Sequence, residues 1–106
     1  MYEYNATLMR TIDGDTVVLR VDLGFKIWAE MSFRLIGINA PELNQLGGVE
    51  AKAHLSTLIG ALGPVFRIAT SQPDKYGRWL VTFPTPHSPS VNEQMVLDGH
   101  AVGSIT

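Results

Sequence analysis

Three short segments hold the side chains best suited to chemistry. Asp13-Gly14-Asp15-Thr16 sets two carboxylates in one turn. The stretch from Arg34 to Glu42, RLIGINAPE, runs from an apolar strand into a proline turn and gathers a guanidinium, an amide oxygen from Asn39 and a carboxylate around that junction. Asp74-Lys75-Tyr76-Gly77-Arg78 adds two cations and a phenol. Clustered oxygen donors in a loop are what a hard cation such as Ca²⁺ or Mg²⁺ takes, and guanidinium forks match the oxygens of a phosphate. Each segment also has a plainer explanation. Turns select Asp and Gly for backbone reasons, and most arginines are surface cations. Spacing alone does not decide between a site and three turns.

The elements that would carry these residues read clearly. Ala6, Leu8 and Ile12 lie on one face of a period-two pattern, and Val17, Leu19 and Val21 on one face of the next. Asp13-Gly14 between them is a hairpin signal, with glycine expected to supply a positive φ. A third run alternates Ile27, Ala29, Met31, Phe33 and Leu35, with Glu30, Ser32 and Arg34 on the opposite face. Arg34 and Arg78 are therefore expected to be dispensable for packing. Ala51, Leu55, Leu58 and Leu62 then recur at helical spacing from Gly48 to a stop at Gly63-Pro64, with Gly60 expected to weaken that helix by about 1 kcal/mol. Strand character returns over residues 65–70 and 79–83. Ser90-Val91-Asn92-Glu93 has capping-box spacing and opens a short helix through Leu97 that ends at Gly99. The order β-β-β-α-β-β-α, with five short strands, predicts an OB-type barrel in the α+β class. In such a barrel Trp28 and Trp79 are expected to pack rather than to stack on bases.

Composition bounds the rest. A chain of 106 residues forms one domain, 1–106. Without cysteine there is neither a disulfide framework nor a thiolate metal site. His54, His87 and His100 share no ligand spacing, so zinc is not expected. No apolar run approaches the ~20 residues of a membrane span. No signal peptide is visible, which favours a cytoplasmic over a secreted location. The net charge of -2 argues against coating nucleic acid by bulk electrostatics, so any phosphate would be bound locally.

Taken in order, Asp-Gly-Asp-Thr after the first strand, Phe-Arg-Leu leading to Pro-Glu, Asp-Lys-Tyr-Gly-Arg before the last strand and Val-Asn-Glu in the closing helix resemble the staphylococcal nuclease (thermonuclease) family, from about Tyr4 to Gly103. The extended Asp22–Trp28 connection is similar to that of phage and bacterial members. The resemblance implies a Ca²⁺-dependent phosphodiesterase on an OB barrel, acting on DNA or RNA with little sequence specificity. It implies that Asp15 binds the ion with Asp13 close by, and that the Asn39 side chain and the Ala40 carbonyl complete the protein ligands. Glu42 would activate or orient the attacking water, Arg34 and Arg78 would clamp the phosphate, and Lys75 and Tyr76 would lie against a neighbouring phosphate or sugar.

Two departures bear on that expectation. Most members carry Asp where this chain has Asn39, which removes one negative charge from the ligand set and should weaken metal binding. The long final helix of the best-known member is not matched, and a homo-oligomer could cover the surface it would protect. The alternative is a weakened or inactive module of the same fold that binds nucleic acid or protein. Against it stands the joint presence of Arg34, Glu42 and Arg78.

Overall fold

The computed structural model describes residues 2–73, 75–87 and 89–104; Asp74 of the Asp-Lys-Tyr-Gly-Arg segment lies outside them. Strand β2 (Thr16–Asp22) buries Val17, Leu19 and Val21, as their alternation requires. It pairs antiparallel with β1 (Tyr2–Asp13) on one side and with β3 (Trp28–Leu35) on the other. β3 also runs parallel to β6 (Trp79–Thr82), which pairs antiparallel with β5 (Phe66–Ser71), and β5 returns to β1. The result is a closed five-stranded barrel in the order β1-β2-β3-β6-β5, with the topology of an OB fold. Closure leaves no strand edge open along those pairings.

Two helices cover the barrel. In α1 (Gly48–Gly60), Ala51, Leu55 and Ile59 are fully buried. Leu58 and Leu62 are only half-buried, so the helix turns slightly from the face their spacing suggests. In α2 (Val91–Leu97), Val91 and Met95 enter the same core. The capping box forms as expected: the Glu93 N–H donates to Ser90 Oγ at 3.2 Å, and the Ser90 N–H donates to Glu93 Oε1 at 3.3 Å. Two-residue strands β4 (Ile38–Asn39) and β7 (Val102–Gly103) pair as a separate ribbon, too short to leave a periodic signature. Among the described residues no helix is long and apolar enough to cross a membrane.

Several local expectations are corrected. A register shift between Leu8 and Arg10 inserts an extra residue into β1, so Thr11 is buried in place of Ile12 and accepts a hydrogen bond from Ser56 Oγ of α1 at 2.7 Å. Ile27 is exposed and precedes β3, because the chain turns through Phe25 and Lys26 at φ 56° and 62°. Gly60 is the last residue of α1, where its conformational freedom costs less than in the interior. Trp28 and Trp79 are 50% and 37% exposed, so neither is core packing.

Gly14 is required for a different reason from the expected one. It is not among the glycines with positive φ. A Cβ there would stand 2.7 Å from the Ala40 Cβ and 2.8 Å from the Ala51 Cβ, so the β1–β2 turn presses directly on α1 and on the segment after β4. Gly48 makes a similar contact, since a Cβ would fall 1.8 Å from the Glu42 carbonyl oxygen. Both close approaches converge on the loop between β4 and α1.

Candidate active site

The β1–β2 turn, the end of β3 and the exit from β4 meet around Asp15, which is only 5% exposed. Its Oδ2 accepts the Ala40 N–H at 2.9 Å and lies 3.3 Å from Arg34 Nη1. Its Oδ1 accepts the Thr16 hydroxyl at 3.1 Å, and its own N–H donates to Asp13 Oδ1 at 3.1 Å. The Asp15 carbonyl in turn accepts the Leu35 N–H at 2.8 Å. One residue thus ties three elements together.

Arg34 is the second hub. Its Nη2 donates to the Ile38 carbonyl at 3.1 Å and to Asn39 Oδ1. The guanidinium therefore bridges the Asp15 carboxylate and the Asn39 amide, and its side chain is 15% exposed. Arg34 does lie off the Phe33/Leu35 face, but it is integrated into the fold, contrary to the expectation that packing would not need it. A charge-assisted fork between two anchors is stiff, which fits it to present its remaining donors in a fixed direction.

Glu42 is exposed at the start of the β4–α1 loop. Its N–H donates to Gln45 Oε1 at 2.9 Å and its carbonyl accepts the Gln45 N–H at 2.9 Å, so a tight turn fixes its backbone just before α1. The contact with Gly48 adds a steric wall behind that turn.

An open cleft of about 640 Å³ collects Asp13, Asp15, Arg34, Asn39, Ala40 and Glu42 with Tyr76 and Arg78 from the β5–β6 connection. Eight of the nine residues singled out in the sequence therefore share one cavity. Lys75 is the exception: it does not line the cleft, and its ammonium lies 5.2 Å from the Tyr76 ring centroid while the Arg78 guanidinium lies 5.4 Å from the same ring. Thr16 and Gln45 also line the cleft. Thr16 was legible as part of Asp-Gly-Asp-Thr, whereas Gln45 left no sequence signal, because its role comes from the turn it closes on Glu42.

Burial, then the hydrogen bond and like charge of Asp15, push the Asp13 carboxyl above its ordinary value. Two carboxylates crowded in this way favour a cation nearby. Among the described residues no group of three or more His, Cys, Asp and Glu side chains could hold a metal ion. Any ion here would rest on Asp13 and Asp15 supplemented by the Asn39 amide oxygen, carbonyl oxygens and water. That is an all-oxygen donor set, suited to a weakly held hard cation and unsuited to zinc.

Two of the three histidines, all of them outside the cleft, form a pair. His54 stacks on His100 with ring centroids 4.3 Å apart, and its Nε2 lies 2.6 Å from Asp98 Oδ2. They join α1 to the end of α2.

A closed OB-type barrel thus brings two arginines and two paired carboxylates to one cleft. A family model of staphylococcal nuclease homologues matches residues 32–105, well over half of the chain, and the chain belongs to that family. The match takes in Arg34, Asn39, Ala40, Glu42 and the Lys75–Arg78 segment but begins after Asp13 and Asp15, so it is the fold that joins those two carboxylates to the matched residues. No curated protein matches the chain.

Proposed function

We propose that this chain is a metal-dependent nuclease that hydrolyses phosphodiester bonds in DNA or RNA with little sequence specificity, using one weakly bound Ca²⁺. The observation that carries this reading is the convergence of Arg34, Arg78 and Glu42 with Asp13, Asp15 and Asn39 in a single cleft. Asp15, the Asn39 amide and the Ala40 carbonyl would hold the ion, with Asp13 beside them. When bound, it would offset negative charge on the phosphoryl oxygens.

Hydrolysis adds negative charge to phosphorus as the water oxygen bonds to it and the P–O bond to the leaving group breaks. Arg34, fixed by Asp15 and Ile38, and Arg78, approaching from the β5–β6 connection, supply cationic donors to those oxygens. Glu42 orients the water or accepts its proton, and the turn closed by Gln45 limits how far that carboxylate can wander. Tyr76 offers a face to the neighbouring sugar or phosphate, and Lys75, outside the cleft, a more distant charge. Nothing in the sequence motifs looks like base-edge readout, which accords with low sequence preference.

The competing module without catalysis draws support from Asn39 and from the engagement of Arg34 with Asp15 and Asn39. Digestion of single-stranded DNA in Ca²⁺, with and without chelator, separates the two for the parent and for Glu42→Gln. Chelator-sensitive digestion that Glu42→Gln abolishes is expected. Equal digestion in every sample, or none in any, would count against the catalytic reading.

A further inference from the structure

The barrel end beside β6 holds an apolar hollow of about 220 Å³, separate from the cleft. Val21, Phe33 and Thr70 are buried in its floor, while Tyr2, Leu23 and Trp79 are 68%, 46% and 37% exposed at its rim. Thr70, the polar residue of that floor, donates its hydroxyl to the Tyr2 carbonyl at 3.3 Å, so the floor suits an apolar guest. An apolar cavity of about 150 Å³ is enough to take up benzene, so this hollow has room for one phenyl-sized side chain.

The same end of the molecule carries such a side chain and leaves it in solvent. Just past Leu23, the β2–β3 connection is closed by the Leu23 N–H on the Ile27 carbonyl and the Ile27 N–H on the Gly24 carbonyl, both at 2.9 Å. The Gly24 N–H donates to Asp22 Oδ1 at 2.8 Å. Phe25, at the tip, is 97% exposed. Phe25 and Lys26, at φ 56° and 62°, fill the two central positions of this turn, where a positive φ ordinarily selects Asn and Gly. Left-handed backbone is costly for a bulky aromatic, and three hydrogen bonds hold it there.

We infer that two copies of this chain associate about a two-fold axis, with Phe25 of each seated in the hollow of the other. A ring without a pocket and a pocket without a ring lie two residues apart in one chain, at Phe25 and Leu23. Such a patch is self-complementary, so one symmetric contact fills both hollows and covers both rings. Phe25, Tyr2 and Trp79 together expose about 400 Å² at ~200 Å² per side chain, half of the ~800 Å² that a standard interface takes from each partner. Leu23 and Ile27, 46% and 56% exposed, add to it. The inference is independent of the nuclease reading. Asn5 pairs with Asp22, which sets Tyr2 and Leu23 at the end of the β1–β2 hairpin away from the Asp13–Thr16 turn, so the contact lies apart from the cleft's carboxylates.

The test uses the full chain carrying Trp28→Phe, which leaves Trp79 the sole tryptophan, alone and combined with Phe25→Ser or Phe25→Leu. Mass is followed by sedimentation equilibrium from micromolar to submillimolar protein, and indole emission reports the rim of the hollow. The parent is expected to double its mass as concentration rises, with Trp79 emission moving to the blue over the same range. Phe25→Ser should dimerise at least about a hundredfold more weakly, because each dimer loses two buried rings, and Phe25→Leu within about tenfold of the parent. Both variants should keep the parental circular dichroism, since the Phe25 side chain supports nothing in its own chain. A parent that stays monomeric throughout would overturn the inference. A dimer that Phe25→Ser leaves as tight as before would place the interface on another face and overturn it too. Trp79 emission that is independent of concentration but shifts in a monomeric Phe25→Ser chain would mean that the ring folds into its own hollow, which also overturns the exchange between copies.

Discussion

Asp15 is nearly buried and three of its contacts depend on other elements: Arg34, the Ala40 N–H and the Leu35 N–H. Arg34→Ala would leave the carboxylate with its Ala40 and Thr16 bonds but no counter-charge, so we expect a loss of about 2 kcal/mol in a urea melt together with a turnover lower by orders of magnitude. Arg34→Lys keeps the charge and loses the fork, and should recover part of the stability but little of the turnover. A fully stable Arg34→Ala chain would contradict the hub described for Asp15. At Asn39 the expectation is a gain. Asn39→Asp adds one negative charge beside Asp15, and Ca²⁺ affinity rises with ligand charge, so calorimetry without substrate should show about tenfold tighter binding. Arg34 would then face two carboxylates, which limits the gain. Unchanged affinity would remove Asn39 from the metal ligands and leave it as the acceptor that holds Arg34.

Among the elements, α2 is tied to the barrel by the buried Val91 and Met95 as well as by Asn92. Its Oδ1 accepts the Phe83 N–H at 3.1 Å, and its Nδ2 donates to the Ile36 and Val81 carbonyls at 3.0 and 2.9 Å. Asn92→Ala leaves buried backbone groups unpaired at once, and a destabilisation of about 3 kcal/mol is expected by denaturant titration. A change below about 0.5 kcal/mol would show that water replaces all three bonds. The α1–α2 contact carries a pH signature. The His54 hydrogen bond, then that of Gln94, lowers the Asp98 carboxyl below its ordinary value of 3.8. A depressed folded value means this stabilisation is complete above the ordinary value and is lost as pH falls through the folded one. Asp98→Asn should therefore flatten the acid limb of stability below about pH 4. Both features show what a sequence reveals. The capping box and the Val17/Leu19/Val21 alternation are local patterns and were legible. Asn92 appeared only as a letter in Val-Asn-Glu, because its three partners are backbone groups in or just beyond the ends of β3 and β6, outside any local pattern. Gly14 was legible as a turn, yet its real constraint is the Cβ of Ala40 and of Ala51 across the chain. The β1 register shift that exchanges Ile12 for Thr11 could not be read from alternation, which carries no record of an inserted residue.

For the molecule as a whole, the net charge of -2 with only eight Lys and Arg leaves little general attraction for a polyanion. The grip must come from the cleft, where barrel closure brings Arg34 from β3 and Arg78 from the β5–β6 connection to one cavity. That the motif residues would share a site was implied by their resemblance to the family; which of them line the cleft, with Lys75 outside it, depends on the path of the loop. We propose that the fold thus makes a focused phosphate site on an otherwise acidic protein, and that this site breaks phosphodiester bonds. The most direct test measures single-turnover cleavage of an end-labelled oligonucleotide at saturating Ca²⁺ for the parent, Glu42→Gln and Arg78→Ala, with affinity measured separately and folding checked by circular dichroism. The account predicts cleavage by the parent, at least about a hundredfold slower in Glu42→Gln at unchanged affinity and similarly slowed in Arg78→Ala. Folded variants that cleave at the parental rate, or a parent that binds the oligonucleotide and never cleaves it, would contradict it.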